Sequence, residues 1–345
     1  HRHNALTRKE AERLKLTHFY DSEMGICHQM MADYGHIRPG EFVIGTDSHT
    51  LIYGALNCVS SGIATDEAAY ALAFGELFFT VPETIKVTLH GKARDYPFGK
   101  DIVLYLAGKY GNTFAQGKSL EFHGEMASAM SLADRTCIAD QGDEVGAKFA
   151  LFLADEKTEA YVRARTSQPF SPVAPDPDAH YVQEIEVDCD ALDFQVAKPF
   201  RFDNVAPVGE VAGVKIDEAR IGTCANGRYE DIEIAARMLK GRKVAPGVRF
   251  YVSPASRTVL KQCADSGILS DLIEAGVQVQ EPGCGICGSM MLNEQTAIAA
   301  VPRNSHGRFG GSDCNDAQIY LAGPATVAAA AIAGRIIDPR EVLHA

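Results

Sequence analysis

The 345-residue chain contains no run of about 18 apolar residues, the length that a membrane-spanning helix needs. Its longest apolar, alanine-rich run, Ala325–Ala333, is too short to cross a bilayer, and no signal peptide is recognisable. Basic residues are also scarce, since 33 lysines and arginines face 45 aspartates and glutamates, giving a formal net charge of −12. Nonspecific binding to nucleic acid needs clustered cations, so this charge disfavours it, although a local basic pocket for an anion is compatible with it. We therefore expect neither a membrane nor a nucleic acid as a partner.

The remaining composition is that of an ordinary globular protein, with 46% hydrophobic and 23% charged residues. The length is enough for two or three domains. There are nine cysteines. In a long acidic chain without a signal peptide, reduced thiols or metal ligands are favoured over disulfides, which predicts a cytoplasmic protein.

Hydrophobic periodicity predicts strands that alternate with helices, and therefore α/β layers around parallel or mixed sheets. Ala64–Gly75 is predicted to be a buried helix, and Thr166–Asp178, with its four prolines, a linker. A strand–turn–helix rhythm runs from Ala219 to Val279, and the turns that follow strands are the usual place for ligand sites in such sheets. We expect three α/β subdomains, at residues 1–84, 85–200 and 201–345.

Two cysteines lie in a glycine-rich CxxC turn, Gly283-Cys284-Gly285-Ile286-Cys287-Gly288, and a third, Cys224, follows Gly222 far upstream. A structural zinc site needs four protein ligands, and no second CxxC or His-x-x-x-His is present. Three thiolates suit an iron–sulfur cluster with one open iron, which can act as a Lewis acid. Spacing alone leaves cluster, zinc and redox chemistry open. The other cysteines are predicted to be plain buried thiols: Cys27, Cys58, Cys137, Cys189, Cys263 and Cys314.

Asp47-Ser48-His49 follows the predicted strand Phe42–Ile44 and could form an acid–base pair, a metal site or merely a capped turn. His28 could be either a functional group or a core histidine. Glu144 needs a partner if it is buried, and a histidine would satisfy it.

Arg303 and Arg308 share one irregular loop shortly after the CxxC turn. Because arginine binds carboxylates through two hydrogen bonds, this loop is either an anion clamp or a solvated basic loop. Its position favours the clamp.

Together these features resemble the aconitase superfamily, and within it the large subunits of two-subunit hydro-lyases of the 3-isopropylmalate dehydratase type. The matching segments occur in the family's order and span nearly the whole chain. They are Gly25-Ile26-Cys27-His28-Gln29, Gly45-Thr46-Asp47-Ser48-His49-Thr50, Glu144-Val145-Gly146-Ala147, Ile221-Gly222-Thr223-Cys224, Gly241-Arg242-Lys243-Val244-Ala245-Pro246-Gly247, Gly283-Cys284-Gly285-Ile286-Cys287, Arg303 with Arg308, and Gly334-Arg335-Ile336-Ile337-Asp338-Pro339-Arg340.

The resemblance implies a three-subdomain α/β/α fold that lacks the family's swivelling fourth domain, and a [4Fe–4S] cluster. It also implies reversible dehydration of a 2-hydroxy di- or tricarboxylic acid such as isopropylmalate, with aconitate or methylmalate-type substrates as alternatives. The implied cluster ligands are Cys224, Cys284 and Cys287. The implied catalytic residues are Asp47, His49, His28 and Glu144, with His28 paired to Glu144. The implied substrate-binding residues are Ser48, Arg303 and Arg308.

Three positions depart from the family's usual residues: Asp140 and Pro302 stand where asparagine is usual, and Ile286 stands where proline is usual. The family's early Asp-His pair is also missing, so we expect roughly eighty N-terminal residues to be absent from this chain. The missing fourth domain predicts a separate small subunit as the partner. Two hypotheses from other classes remain, namely an RNA-binding regulator without a cluster and an inactive zinc or scaffold protein.

Overall fold

The computed structural model describes residues 2–287, 291–292, 294–309 and 316–343. Two features of the predicted pattern, Gly288 and Cys314, lie outside these residues. The described part alternates strands with helices, as the periodicity predicts. No helix within it is both long and apolar enough to cross a membrane.

The α-helices are α1 (Arg2–Leu14), α2 (Cys27–Asp33), α3 (Thr65–Phe74), α4 (Gly99–Tyr110), α5 (Glu125–Ala129), α6 (Leu132–Asp140), α7 (Glu156–Arg163), α8 (Val208–Val211), α9 (Thr223–Asn226), α10 (Tyr229–Leu239), α11 (Arg257–Asp265), α12 (Ile268–Ala275), α13 (Pro324–Ala333) and α14 (Arg340–Leu343). Short 3₁₀ helices span Ser22–Met24, Ser48–Leu56, Asp143–Val145 and Gly285–Cys287. The strands are β1 (Phe42–Gly45), β2 (Val59–Gly62), β3 (Thr84–His90), β4 (Ser119–His123), β5 (Phe149–Phe152), β6 (Gln183–Asp188), β7 (Gln195–Ala197), β8 (Val205–Pro207), β9 (Glu218–Gly222), β10 (Arg249–Ser253), β11 (Gln278–Val279), β12 (Thr296–Ala300) and β13 (Gln318–Ala322).

The largest sheet among the described residues has the strand order β11-β10-β9-β12-β13-β7-β8. Its first five strands run parallel, and β7 and β8 complete one edge in antiparallel pairing. Parallel strands are buried on both faces, which is why β9 and β12 are almost continuously buried and why the alanine-rich α13 packs without exposed side chains. The carboxyl ends of β9, β10, β11 and β12 therefore lie along one edge of the sheet.

A second sheet, β5-β4-β3-β6, is entirely parallel, and β1 pairs in parallel with β2. The alternation predicted for Thr84–Leu89 is present in β3, whose residues alternate between buried and half-buried. A large apolar core extends through the four-stranded and seven-stranded sheets. A smaller core joins α2 and the 3₁₀ helix Ser48–Leu56 to Cys224 and Ala255.

Two predictions about burial are wrong. The helix predicted at Ala64–Gly75 is α3, but none of its residues is buried, and Leu72 is 89% exposed. Its small residues resemble a core helix in sequence, yet no described element covers it. Cys27 is also exposed, because it begins α2 just after the buried Ile26 and its side chain points outward. Cys58, Cys137, Cys189 and Cys263 are buried thiols, as predicted.

The segment predicted as a linker, Thr166–Asp178, contains no helix or strand. It separates α7 from β6. The proposed subdomain boundaries at residues 84 and 200 remain a prediction.

Candidate active site

A capped turn at the end of β1 carries Asp47 and His49. Asp47 begins the 3₁₀ helix Ser48–Leu56, and its carboxylate accepts a 2.9 Å hydrogen bond from the backbone N–H of His49. This is the usual way in which a side chain satisfies a free donor at a helix start. The cap turns His49 inward, where it is buried, and leaves Ser48 at the surface. The capped turn therefore serves to aim the histidine.

Two histidine–carboxylate pairs meet at this turn. His28 Nε2 lies 3.1 Å from Asp47 Oδ1, and His49 Nε2 lies 3.2 Å from Glu144 Oε1. The expected pairing of His28 with Glu144 is therefore wrong, because the other ring nitrogen of His28, Nδ1, contacts Cys27. The histidine that satisfies Glu144 is His49.

Both imidazoles are held in the charged form by these partners. Burial lowers the pKa of His28, but the hydrogen bonds to Asp47 and Cys27 outweigh it and raise the pKa to about 9. Burial likewise lowers the pKa of His49, but Asp140, Asp47 and Glu144 raise it to about 11. Hydrogen bonds from the two histidines keep the pKa of Asp47 well below its usual range. Each pair can therefore present a proton donor to a bound molecule.

Glycine makes the approach of His28 to this turn possible. Gly25 has φ +134°, and a Cβ atom there would lie 2.5 Å from the Ala255 carbonyl oxygen. The backbone N–H of Ile26 donates to the same carbonyl at 2.8 Å. The close approach fixes the start of α2 against the loop after β10 and so places His28 beside Asp47.

Arg303 links the Asp47 turn to the edge of the large sheet. It follows β12, and its Nε donates to Glu144 Oε1 at 2.6 Å while its Nη2 donates to Ser48 Oγ at 3.2 Å. Nη2 also donates to Asp143. Burial would raise the pKa of Glu144, but His49 and Arg303 hold it below its usual value. The structure thus brings the predicted residues Ser48, Glu144 and Arg303 into one network.

The three cysteines follow two parallel strands of the large sheet, with Cys224 after β9 and Cys284 and Cys287 after β11, and β10 lies between these strands. A Cβ atom at Gly222 would lie 2.5 Å from the Ser253 carbonyl oxygen, so only glycine allows β9 and β10 to end this close together. The next residue, Thr223, has φ +69°, an uncommon conformation for a β-branched residue, and it precedes Cys224 directly.

Buried hydrogen bonds hold the CxxC turn in place. The Ser253 hydroxyl lies 2.9 and 3.0 Å from the carbonyl oxygens of Glu281 and Gly283 and shares its one proton between them. On the other side, Arg220 Nη1 donates to the Ile286 carbonyl at 2.7 Å. The turn that presents Cys284 and Cys287 is therefore anchored by residues of β9 and β10.

The thiols of the three cysteines interact with one another. Cys284 lowers the pKa of the Cys224 thiol, but burial and the Asp140 carboxyl raise it to about 12. Contact with Cys224 raises the pKa of Cys284 to about 12, and contact with Cys284 raises that of Cys287. Arg308 Nη2 donates to Cys287 Sγ at 2.9 Å. The structure therefore places Arg308 on a cysteine, whereas the resemblance implies a role at the substrate carboxylate.

This donor set fits an iron–sulfur cluster. It offers three soft sulfur donors, of which Cys224 and Cys287 are buried and Cys284 is exposed, and the Arg308 guanidinium neutralises part of the charge that they would carry as thiolates. Binding of a metal to these cysteines would release their protons.

His49 joins the cysteines to the polar network. A ring nitrogen of His49, a carboxylate oxygen of Asp140 and Cys224 Sγ all lie within 4.8 Å of one another, and all three residues are buried. The predicted cluster ligands and the predicted catalytic residues thus share one site.

Reasoning from the sequence missed several buried charged residues beside this site. Arg220 pairs with Glu218 inside β9, and Lys100 Nζ donates to the Val301 carbonyl at 2.9 Å just before Arg303. Charged residues within an otherwise fully apolar strand, as at Glu218 and Arg220, were the available signal.

The site faces solvent on one side. The side chain of Asp47 is 55% exposed and that of Arg303 is 33% exposed, and Ser48 and Cys284 are exposed. A cavity of about 370 Å³ lies elsewhere, lined by residues such as Tyr53, Tyr161 and Arg228, and of the predicted site residues only His28 borders it. The candidate active site is therefore an open cleft.

The chain is similar in sequence to known proteins along nearly its whole length. The sequence profile described as "Aconitase family (aconitate hydratase)" matches residues 1–213 and 206–334. The 3-isopropylmalate dehydratase large subunit 1 of Methanopyrus kandleri is 43% identical over 342 residues, which are 98% of this chain and 81% of that protein.

The probable methanogen homoaconitase large subunit of Methanosarcina mazei is 40% identical over 95% of this chain and 83% of its own length. The crystal structure of aconitase X from Thermococcus kodakaraensis in its holo form has 12% identity and a TM-score of 0.46, covering 81% of this chain and 66% of that one. The family profile and the two large-subunit relatives span nearly all of the sequence, so this chain belongs to the aconitase family.

Proposed function

We propose that this chain is the large subunit of an iron–sulfur hydro-lyase that reversibly dehydrates a 2-hydroxy di- or tricarboxylic acid. The observation that carries the proposal is the position of His49, which contacts Glu144 and lies within 4.8 Å of Asp140 and Cys224. The proposed proton donor therefore lies beside one of the proposed cluster ligands. The names of the relatives indicate two substrate types, isopropylmalate and homocitrate.

Cys224, Cys284 and Cys287 would hold a [4Fe–4S] cluster, which supplies a Lewis acid for the departing hydroxyl group. In the dehydration, a proton leaves one carbon, the hydroxyl leaves the neighbouring carbon with a proton, and a double bond forms between them. His49, held protonated by Asp140, Asp47 and Glu144, is placed to donate the proton that converts the departing hydroxyl into water. The contact between His28 and Asp47 fixes the position of the turn that carries His49, and the Asp47 carboxylate supplies negative charge beside that histidine.

Arg303 is assigned to the substrate carboxylate. Its guanidinium lies between Ser48 and Glu144 at the exposed side of the cleft, and a substrate carboxylate can take the place of one protein acceptor. Ser48 adds a hydroxyl next to it. Arg308 contributes both to the anion-binding charge and to the environment of Cys287.

A separate small subunit is part of the proposal. The cleft is open at Asp47, Ser48 and Cys284, and water must be excluded from such a site during the reaction. A partner that covers this side would also supply the base that removes the carbon-bound proton. The exposed Cys284 must remain reduced to bind iron, so we assign the enzyme to a reducing compartment such as the cytoplasm.

The test is to purify the chain anaerobically, reconstitute it with iron and sulfide, and add the small subunit that co-purifies with it. We expect a brown protein with four irons per chain. It should dehydrate one member of a panel containing isopropylmalate, homocitrate, citrate and a methylmalate. A colourless protein with stoichiometric zinc would contradict the proposal. Activity without the small subunit would contradict the two-subunit assignment.

A further inference from the structure

Lys100 is a buried lysine of α4 that lies behind the candidate active site, with 1% of its surface exposed. Its Nζ donates to Gln141 Oε1 and, at 2.9 Å, to the Val301 carbonyl, and it lies 5.2 Å from the centre of the Phe202 ring. None of the carboxylates that the structure describes forms an ion pair with it. Burying a lysine without such a partner costs free energy, so stability alone does not explain this residue.

The first acceptor of Lys100 lies at the strand end that carries Arg303. The strand β12 ends at Ala300, so the Val301 carbonyl lies beyond the sheet, and Lys100 supplies a donor for it. Pro302 follows and has no backbone N–H with which to anchor the segment. The position of Arg303 therefore depends on the hydrogen bond from Lys100.

Arg303 lies between two buried anchors. Asn304, the residue after it, is buried and donates from Nδ2 to the Lys198 carbonyl at 2.8 Å. Lys100 holds the segment before it. Because the anchors are buried and the Arg303 side chain itself is partly exposed, the anchors determine where its guanidinium enters the cleft.

The second acceptor leads to the cysteine side of the site. Gln141 directly follows α6, and its Nε2 donates to Asp140 Oδ2 at 3.0 Å. Asp140 in turn shares a side-chain hydrogen bond with Cys224. Burial lowers the pKa of Lys100, and the groups that act in the opposite direction include Glu144, Asp140 and Cys224. Both the contacts of Lys100 and the charges around it therefore belong to the candidate active site.

We propose that Lys100 is a positioning residue of the hydro-lyase site, and that it ties the segment of Arg303 to the end of α6 and so holds the substrate-binding guanidinium at a fixed place relative to Cys224. The inference rests on the proposed function. Lys100 acts through Val301 and Gln141 rather than by touching the substrate. A carboxylate that binds Arg303 is then already oriented for the reaction. Loss of Lys100 should weaken carboxylate binding more than it slows the chemical step.

The experiment compares the wild-type holoenzyme, with its small subunit, and Lys100→Met in samples of equal iron content. The probe is propane-1,2,3-tricarboxylate, which has the carboxylates of a substrate but no hydroxyl group to lose, and its Kd is measured by calorimetry. We expect Lys100→Met to raise this Kd about tenfold, the loss that one misplaced hydrogen bond to a charged group produces. The KM of the substrate should rise by a similar factor, with kcat little changed.

Arg135→Met is the matched control. Arg135 is a cation of α6 that is also 1% exposed, and it donates to the Ser128 carbonyl at 2.9 Å and pairs with Asp155. None of these partners is a predicted site residue. Arg135→Met should lose stability in urea unfolding, yet bind the probe with wild-type affinity. Equal loss of affinity in Arg135→Met and Lys100→Met would show that Lys100 only stabilises the fold.

Lys100→Gln carries the test if Lys100→Met does not fold. Glutamine is uncharged and shorter, so it cannot span both acceptors, and it should also raise the Kd of the probe. Wild-type affinity in either folded variant of Lys100 would overturn its positioning role and leave the proposed function intact. A wild-type protein that assembles no iron–sulfur cluster would instead contradict the proposed function, and this inference would fail with it.

Discussion

His49 and Glu144 lie 95 residues apart in sequence and 3.2 Å apart in space, measured from Nε2 to Oε1. The same Glu144 oxygen accepts a 2.6 Å hydrogen bond from Arg303 Nε. One carboxylate therefore orients both the proposed proton donor and the proposed substrate-binding cation. His49, Glu144 and Arg303 come from three different parts of the chain, so we expect this network to be sensitive to mutation.

Glu144→Gln should lower kcat about 10²- to 10⁴-fold, because it removes the charge that keeps His49 protonated and Arg303 in place. The variant should still bind the cluster, so its absorbance spectrum and iron content should match those of the wild-type protein. Asp143→Asn is the control: it shares Arg303, but Asp143 lies 4.0 Å from His49. Equal losses in both variants would show that the His49–Glu144 contact has no special role.

Cys224→Ser should abolish the visible absorbance of the reconstituted protein and reduce its iron and sulfide content, because serine replaces a soft thiolate with a hard oxygen donor. Cys263→Ser is the control, since Cys263 is fully buried in α11 and is not a predicted ligand. Its spectrum should be unchanged. If Cys224→Ser retains the wild-type iron content, Cys224 is not a cluster ligand.

The sequence predicts much of this site because the relevant signals are local. Alternation of apolar residues identifies β3, and the strand-then-turn pattern places Cys224 after β9 and Cys284 after β11, on one edge of the sheet with β10 between them. These are properties of short segments. They require no knowledge of how distant segments meet.

The histidine pairing could not be predicted in this way. Which imidazole reaches Glu144 depends on how α2 docks, and α2 is placed by the contact of Gly25 and Ile26 with Ala255, more than 200 residues away. The prediction that α3 is buried fails for a similar reason, since the composition of the helix does not reveal whether another element covers it. The position of Asp140 beside Cys224 and His49 likewise appears only when distant segments are placed in three dimensions.

Arg220→Met should separate fold stability from cluster binding. Arg220 is buried, pairs with the equally buried Glu218, and donates to the Ile286 carbonyl. Removing it leaves Glu218 with Arg249 as its remaining ion-pair partner among the described residues. Because Arg249 still pairs with Glu218, unfolding by urea should show a loss below the roughly 3–5 kcal/mol that a wholly unpaired buried charge costs.

The double variant Glu218→Gln/Arg220→Met should recover most of that stability, because both buried charges of the pair are removed together. Its iron content should nevertheless stay low, because the CxxC turn still lacks the donor to Ile286. Arg249→Met is the control: Arg249 is 40% exposed, so its pair with Glu218 should contribute only about 0–1 kcal/mol, and cluster content should not change. Normal iron content in the double variant would show that Arg220 does not position the turn.

Asp101 makes the stability of the protein depend on pH. It is completely buried in α4, its Oδ1 accepts a 2.7 Å hydrogen bond from the backbone of Gln195, and its Oδ2 has no partner among the described residues. Burial raises the pKa of this carboxyl from 3.8 to about 7. The folded state therefore binds a proton that the unfolded chain has already lost between these two values.

As a result, the contribution of Asp101 to stability is greatest below about pH 4 and falls by up to about 1.4 kcal/mol per pH unit as the pH rises towards 7. Asp101→Asn cannot ionise, so it should be more stable than the wild-type protein at pH 8, and the difference should shrink as the pH is lowered to 4. Anaerobic urea unfolding at several pH values measures this difference. Asp265→Asn, at an exposed position of α11, should follow the wild-type curve. A constant difference between Asp101→Asn and the wild-type protein across this range would show that Asp101 does not titrate between the folded and unfolded states.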